Sequence, residues 1–246
     1  MRIALIDNLR GFAFLFMIIQ HIFYFYDVST NYRTSYYNNY YIKSSGSIAR
    51  YLFIFLVGYS LSLSYKNNYK FYKNRIKKSL LILFHALIIS LLTWMLYPEK
   101  FIRFGILHFI GVATLLALLI VPYKKLYIIF FFISLYISTQ SLYVTNNTII
   151  DTMIGSRIYY QMIDYFPLVQ WIPTLILGMF IESIKINNKH ILNLIVDNSF
   201  LEFFNKDNNI ITKNLSYLGQ NCLNLYTIHL IILFLFYYFL QNYYKK

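Results

Sequence analysis

Residues 6–21, IDNLRGFAFLFMIIQH, decide how the chain is read. The stretch is apolar enough to open a membrane-crossing helix, yet it carries Asp7, Arg10 and His21. An ionisable group in hydrocarbon is costly, and it is usually turned toward the protein interior and toward a function. Asp7 and Arg10 also interrupt the apolar run, and no small-residue cleavage pattern follows, so the segment reads as a retained first helix rather than a signal peptide.

Composition agrees. Of 246 residues, 59% are hydrophobic and 13% charged, where a soluble domain is roughly half apolar and a quarter charged. Mean hydropathy is +0.52. The net charge of +13 does not indicate nucleic acid, because the basic residues lie mostly between apolar spans, where they set topology. The single cysteine, Cys222, excludes an internal disulfide framework and brings no redox or metal motif, so no metal site is expected.

Crossing the hydrocarbon core takes about 20 mostly apolar residues as a helix. That ruler predicts seven spans, at 4–26, 48–65, 79–97, 104–122, 126–143, 166–183 and 221–241. The expected fold is an all-α polytopic membrane protein, a bundle of about seven transmembrane helices forming a single domain over residues 1–246. Residues 184–220 form a polar cytoplasmic loop, within which HILNLIVDNSFLEFF (190–204) can lie flat at the interface. The basic run KNNYKFYKNRIKK at 66–78 dominates the lysine and arginine balance and places the N-terminus in the cytoplasm and the C-terminus outside. No internal repeat is evident, which counts against a two-repeat transporter.

With this orientation His21, eleven residues beyond Arg10, lies roughly 16 Å further outward. His108, Asp164 and Arg50 fall at the same outer level, while Asp7, Arg10 and the 66–78 cluster gather at the inner one. Each group also has a plainer reading. Asp7 and Arg10, at i and i+3, can neutralise each other. His85 and His229 are expected to bond backbone carbonyls of neighbouring helices, Arg50 can snorkel, and the 66–78 run can be a topology signal alone. Gly11 and Gly178 suit close helix packing, whereas Gly105 and Gly111 can serve packing or leave room for a substrate.

Several segments match a known pattern in chain order. Besides residues 6–21, these are LFIFLVGYSLSLSYK (52–66), FYKNRIKKSLLIL (71–83), FIRFGILHFIGVA (101–113), DYFPLVQWIPTLILGMF (164–180) and LSYLGQNCLNLYTIHL (215–230). Together they resemble the heparan-alpha-glucosaminide N-acetyltransferase catalytic-domain family, in its short prokaryotic form. The first helix is also similar to acyltransferase family three, whose Asp-x-x-Arg is followed, eleven residues after the arginine, by a histidine taken to be catalytic. Here that position is His21. In the lysosomal enzymes it is similar to an asparagine, with the histidine in the following luminal loop, and residues 31–47 here contain none. His108 corresponds to a glutamine there, which implies a polar group at that position.

The resemblance implies transmembrane acyl transfer, with acetyl-CoA as cytoplasmic co-substrate and a glycan or other small acceptor, a sugar or amino sugar, on the far side. On that reading Asp7, Arg10, Arg75, Lys77 and Lys78 shape the CoA site, since guanidinium and ammonium groups pair with phosphates. His21 and His108 supply a general base or acyl carrier, and Asp164 orients a histidine or the acceptor. The lysosomal enzymes have more helices, so a seven-helix chain can require a homodimer to complete the site. Two alternatives stay open: a transporter or flippase for a lipid-linked sugar or small polar solute without acyl chemistry, and a non-catalytic subunit that retains the fold.

Overall fold

The computed structural model describes residues 3–30, 35–140, 147–156, 162–186, 189–190, 203–204 and 209–244. They form nine helices of the α type: α1 (Ala4–Ser29), α2 (Tyr40–Leu63), α3 (Tyr69–Leu96), α4 (Ile106–Ile120), α5 (Tyr127–Thr139), α6 (Thr148–Ile154), α7 (Leu168–Ser183), α8 (Ile210–Gln220) and α9 (Cys222–Tyr244). Among the described residues the only strand pairing is an antiparallel ladder of two residues a side, β1 (Lys185–Ile186) against β2 (Lys189–His190). The chain is therefore an all-α membrane protein with several apolar crossings.

A helix stands at each of the seven expected spans, but among the described residues only four are long and apolar enough to cross alone: Ala4–Val28, Tyr40–Leu63, Tyr69–Leu96 and Cys222–Leu240. Within residues 104–122 and 126–143 the described helices are each shorter than a full crossing. The 15 residues of α4 and 13 of α5 reach only about 22 and 20 Å, short of a core about 30 Å thick. Instead the two apolar stretches meet at a bend of 111°. Pro122 supplies the cause, because it has no N–H to continue the ladder beyond Val121, whose own N–H bonds the Ala117 carbonyl. The sixth span, α7, has 16 residues with Pro173 inside it. Residues 210–220, expected to be loop, form α8; most of the amphipathic stretch 190–204 lies outside the described residues.

Asparagine starts three of these helices. The side chain of Asn68 accepts from Phe71 N–H at the start of α3, Asn147 from Ile149 and Ile150 N–H at α6, and Asn209 from Ile211 N–H at α8, each satisfying donors the helix cannot. Along α3 the small and polar Ser79, Ala86 and Thr93 are buried at seven-residue spacing, while Leu80, Phe84, Leu87 and Leu91 are exposed. That inversion suits a helix whose outer face meets lipid and whose inner face needs close approach.

The fold divides into two compact units, Met1–Phe53 with Ile195–Lys246, and Ile54–Leu194. In the first, α1 packs on α8 and α9. Two glycines set the α1–α8 approach: a Cβ on Gly11 would strike the Leu215 carbonyl, and one on Gly219 the Asp7 carbonyl. The second unit repeats the device. A Cβ on Gly58 of α2 would strike the Leu175 carbonyl, and one on Gly178 of α7 the Phe55 carbonyl. Gly105 and Gly111 are likewise filled around, by Asp164 and Ile102 and by Leu83.

Because the obstructing atoms are backbone, a methyl group cannot be absorbed by a rotamer change. Gly219→Ala and Gly178→Ala should each cost about 1–3 kcal/mol or more, read as a lowered Tm in detergent. Ser216→Ala, which adds no atoms on α8, should leave Tm within a degree or two.

Candidate functional site

In the first unit the polar groups of α1 fall into an N-terminal and a C-terminal set. At the N-terminal end, Arg10 Nη1 meets Asp7 Oδ1 at 3.3 Å. Asp7 is buried and Arg10 keeps a quarter of its side chain exposed. The pair is the local i, i+3 neutralisation the sequence allowed. Fully buried Asn8 lies between them in sequence and donates from Nδ2 to the Phe204 carbonyl at 2.7 Å. Cys222, at the start of α9, is within electrostatic range of both Asp7 and Arg10.

The C-terminal set centres on two histidines. His21 Nδ1 lies 3.0 Å from His229 Nε2, and His229 Nδ1 lies 3.2 Å from the carbonyl of Leu225, one turn back on α9. A carbonyl only accepts, so the proton on His229 belongs at Nδ1. Neutral His229 then offers a lone pair at Nε2, and His21 must donate to it from Nδ1. The assignment follows from the partners rather than from seen hydrogens, and it leaves one free atom: His21 Nε2, a lone pair with no partner among the described residues. Phe14 and Tyr226 meet His229 edge-on, with ring centres 5.4 and 5.2 Å away. Arg50, on α2, donates to Ser47 Oγ at 3.1 Å, while its Nε is buried without a partner among the described residues. Its charge is within electrostatic range of His21.

The second unit holds the remaining expected residues. His108 and Asp164 converge on one turn. His108 Nδ1 accepts from Gly105 N–H at 3.2 Å, and Asp164 Oδ2 accepts from Ile106 N–H at 3.0 Å, so both serve the start of α4. His108 Nε2 is 3.2 Å from Ser90 Oγ, whose proton goes to the Ile102 carbonyl at 2.6 Å. Both ring nitrogens of His108 are thus engaged. At the start of α3, Arg75 donates to Ser64 and lies over the Phe71 ring, its guanidinium carbon 5.6 Å from the centroid. Lys77 and Lys78 are exposed on the same turn.

Sequence reasoning missed two features. His229 does not bond a carbonyl of a neighbouring helix, as expected, but the Leu225 carbonyl of its own helix, and its second bond, to His21, spans 208 positions and has no local signature. The other is Glu182 at the end of α7, almost fully buried, which accepts from Lys124 Nζ at 2.8 Å and from Ser62 Oγ. Lys124 sits in the turn where α4 and α5 bend apart. No group of three or more His, Cys, Asp or Glu side chains that could hold a metal occurs among the described residues.

Compared with known proteins, residues 2–231 match the family model described as Heparan-alpha-glucosaminide N-acetyltransferase, catalytic. No curated protein and no solved structure matches the chain.

The bonding of His108 makes a separable prediction. His108→Gln keeps an acceptor for Gly105 N–H and should fold with near-native Tm, whereas His108→Leu strands that donor and should cost about 1–2 kcal/mol. Equal Tm for the two variants would contradict a capping role.

Proposed function

Since the chain belongs to the heparan-alpha-glucosaminide N-acetyltransferase catalytic family, we propose that it is a membrane acyltransferase that moves an acetyl group from cytoplasmic acetyl-CoA to a sugar or amino-sugar acceptor on the far side of the bilayer. The observation that carries this reading is the free Nε2 of His21, a lone pair within a membrane helix whose ring is fixed through its other nitrogen. A neutral imidazole is suited to the task, because its ordinary pKa lies near working pH.

The proposed step balances as follows. The acceptor's nitrogen or oxygen forms a bond to the thioester carbonyl carbon, and its proton passes to His21 Nε2. The carbon–sulfur bond breaks, and the departing thiolate takes that proton back, leaving CoA as its thiol and His21 neutral. Arg50 Nε–H is the donor proposed to meet the negative charge that grows on the carbonyl oxygen. For the phosphates we propose Arg10, in the first unit. The second unit has a candidate anion-binding set of its own, Arg75, already ordered by Ser64 and Phe71, with the exposed Lys77 and Lys78. Asp7 holds Arg10 in place rather than binding the anion itself. His108 and Asp164 are assigned to shaping the start of α4.

The orientation proposed is N-terminus cytoplasmic and C-terminus outside. The basic run at 66–78 favours it, and among the described residues four helices, or five counting the bent α4–α5 pair as one, are long and apolar enough to cross. The same bend is what favours the second reading, a transporter, because broken helices mark many ion and solute sites.

Purified protein in nanodiscs should bind acetyl-CoA saturably and release CoA slowly without an acceptor. His21→Ala should lower kcat by about 100-fold or more with binding retained, and Arg10→Ala should weaken binding by about 10-fold. Folded protein that binds no CoA ester, yet exchanges a polar solute across liposomes, would replace this reading with the transporter.

A further inference from the structure

We infer that His229 is a positioning residue that holds His21 in the one tautomer able to act as base, through a chain running from the Leu225 carbonyl through His229 to His21. The inference rests on the acyltransferase reading and adds to it a residue and a role.

Three observations carry it. First, the direction of the chain is fixed at its far end. The Leu225 carbonyl can only accept, so neutral His229 must present a lone pair, not a proton, to His21. Without that constraint a free imidazole exchanges between its two tautomers, and in one of them Nε2 carries the proton and cannot act as a base. Second, the contact has the geometry of a good in-plane bond. The two rings are within 10° of parallel with centres 5.3 Å apart, which exceeds the 3.0 Å nitrogen separation by about two imidazole ring radii. The nitrogens therefore lie on the line between the ring centres, and the rings are end to end rather than face to face. Third, Phe14 and Tyr226 flank the His229 ring edge-on, which leaves it little freedom to rotate out of line.

The chemistry follows from the same chain. When His21 Nε2 takes the acceptor's proton, the His21 imidazolium keeps its Nδ1–H bond to His229 Nε2, and the positive charge gains an acceptor. Carboxylates commonly do this for catalytic histidines. Within a membrane span a carboxylate would itself be a charge to desolvate, whereas an imidazole oriented by a carbonyl is neutral. No other proton need move, and no further reactant is involved.

The test compares His229→Phe with His229→Gln in nanodiscs. Gln keeps a carbonyl oxygen able to accept from His21 Nδ1, while Phe keeps the ring's bulk and offers no acceptor. Phe should lower kcat for CoA release by about 10- to 100-fold with KM for acetyl-CoA within twofold and Tm close to wild type. Gln should recover most of that loss, and a loss arising only from packing would not show this order. Independently of turnover, ¹⁵N-histidine labelling of the five histidines reads tautomers directly. The expected result is a proton at Nδ1 and a bare Nε2 on His21 in the wild type and in Gln, and a mixture of tautomers in Phe. A wild-type His21 protonated at Nε2, or His229→Phe turning over at the wild-type rate while His21→Ala does not, would overturn the inference. If wild type shows the expected tautomers but never turns over a CoA ester, the acyltransferase reading fails and the positioning chain stands without it.

Discussion

Every polar atom placed inside the hydrocarbon layer must find its partner in the protein, because no water is there to supply one. That requirement organises this structure. Asn8 reaches a backbone carbonyl far away in sequence, Glu182 gathers Lys124 and Ser62, and His108 spends both ring nitrogens on the start of α4. Satisfaction of this kind is also what singles out the exceptions. His21 stands apart because its partner is another imidazole whose own proton is committed elsewhere, so the chain of bonds ends on a free lone pair. Arg50, with a buried Nε that donates to nothing among the described residues, is another, and Asn8 Oδ1 and Ser79 Oγ are buried without a hydrogen-bond partner among them as well.

Close packing meets the same requirement by a different route. Helices in lipid gain little from apolar burial against each other, so they associate where backbones can approach. Gly11 with Gly219, and Gly58 with Gly178, put glycine Cα atoms against facing carbonyls in reciprocal pairs. In the first unit the pair lies one turn from the Asp7–Arg10 ion pair, since Gly219 rests on the carbonyl of Asp7 itself. The crossing that fixes α8 therefore also fixes the N-terminal end of α1, and with it the line along which His21 is presented.

Much of this was legible in the sequence, and the reasons for the rest are physical. Apolar length revealed a helix at each of seven positions, and Gly11 and Gly178 were read correctly as packing residues. Pro122 was visible, but a proline between two apolar runs cannot tell a boundary between crossings from a break within one. The polar, Asn-rich character of 184–220 hid α8, whose asparagine cap and buried Thr212, Leu215 and Gly219 mark a helix packed against α1. Among expected site residues, Asp7 and Arg10 are brought together, as are His108 and Asp164 on one turn. What the sequence could not supply was partnership over distance. Nothing local links His21 to His229, or Lys124 to Glu182, and it is the partner that separates a histidine with both nitrogens engaged from one with a lone pair to spare.

The central claim is that His21 Nε2 meets the acyl group, and affinity labelling tests it most directly. Bromoacetyl-CoA carries an electrophile at the acyl position, so incubation with the nanodisc protein followed by peptide mass spectrometry reports which side chain lies there. The account predicts alkylation of His21, suppressed by excess acetyl-CoA. Labelling confined to Cys222 or to exposed lysines, and undiminished by acetyl-CoA, would contradict it.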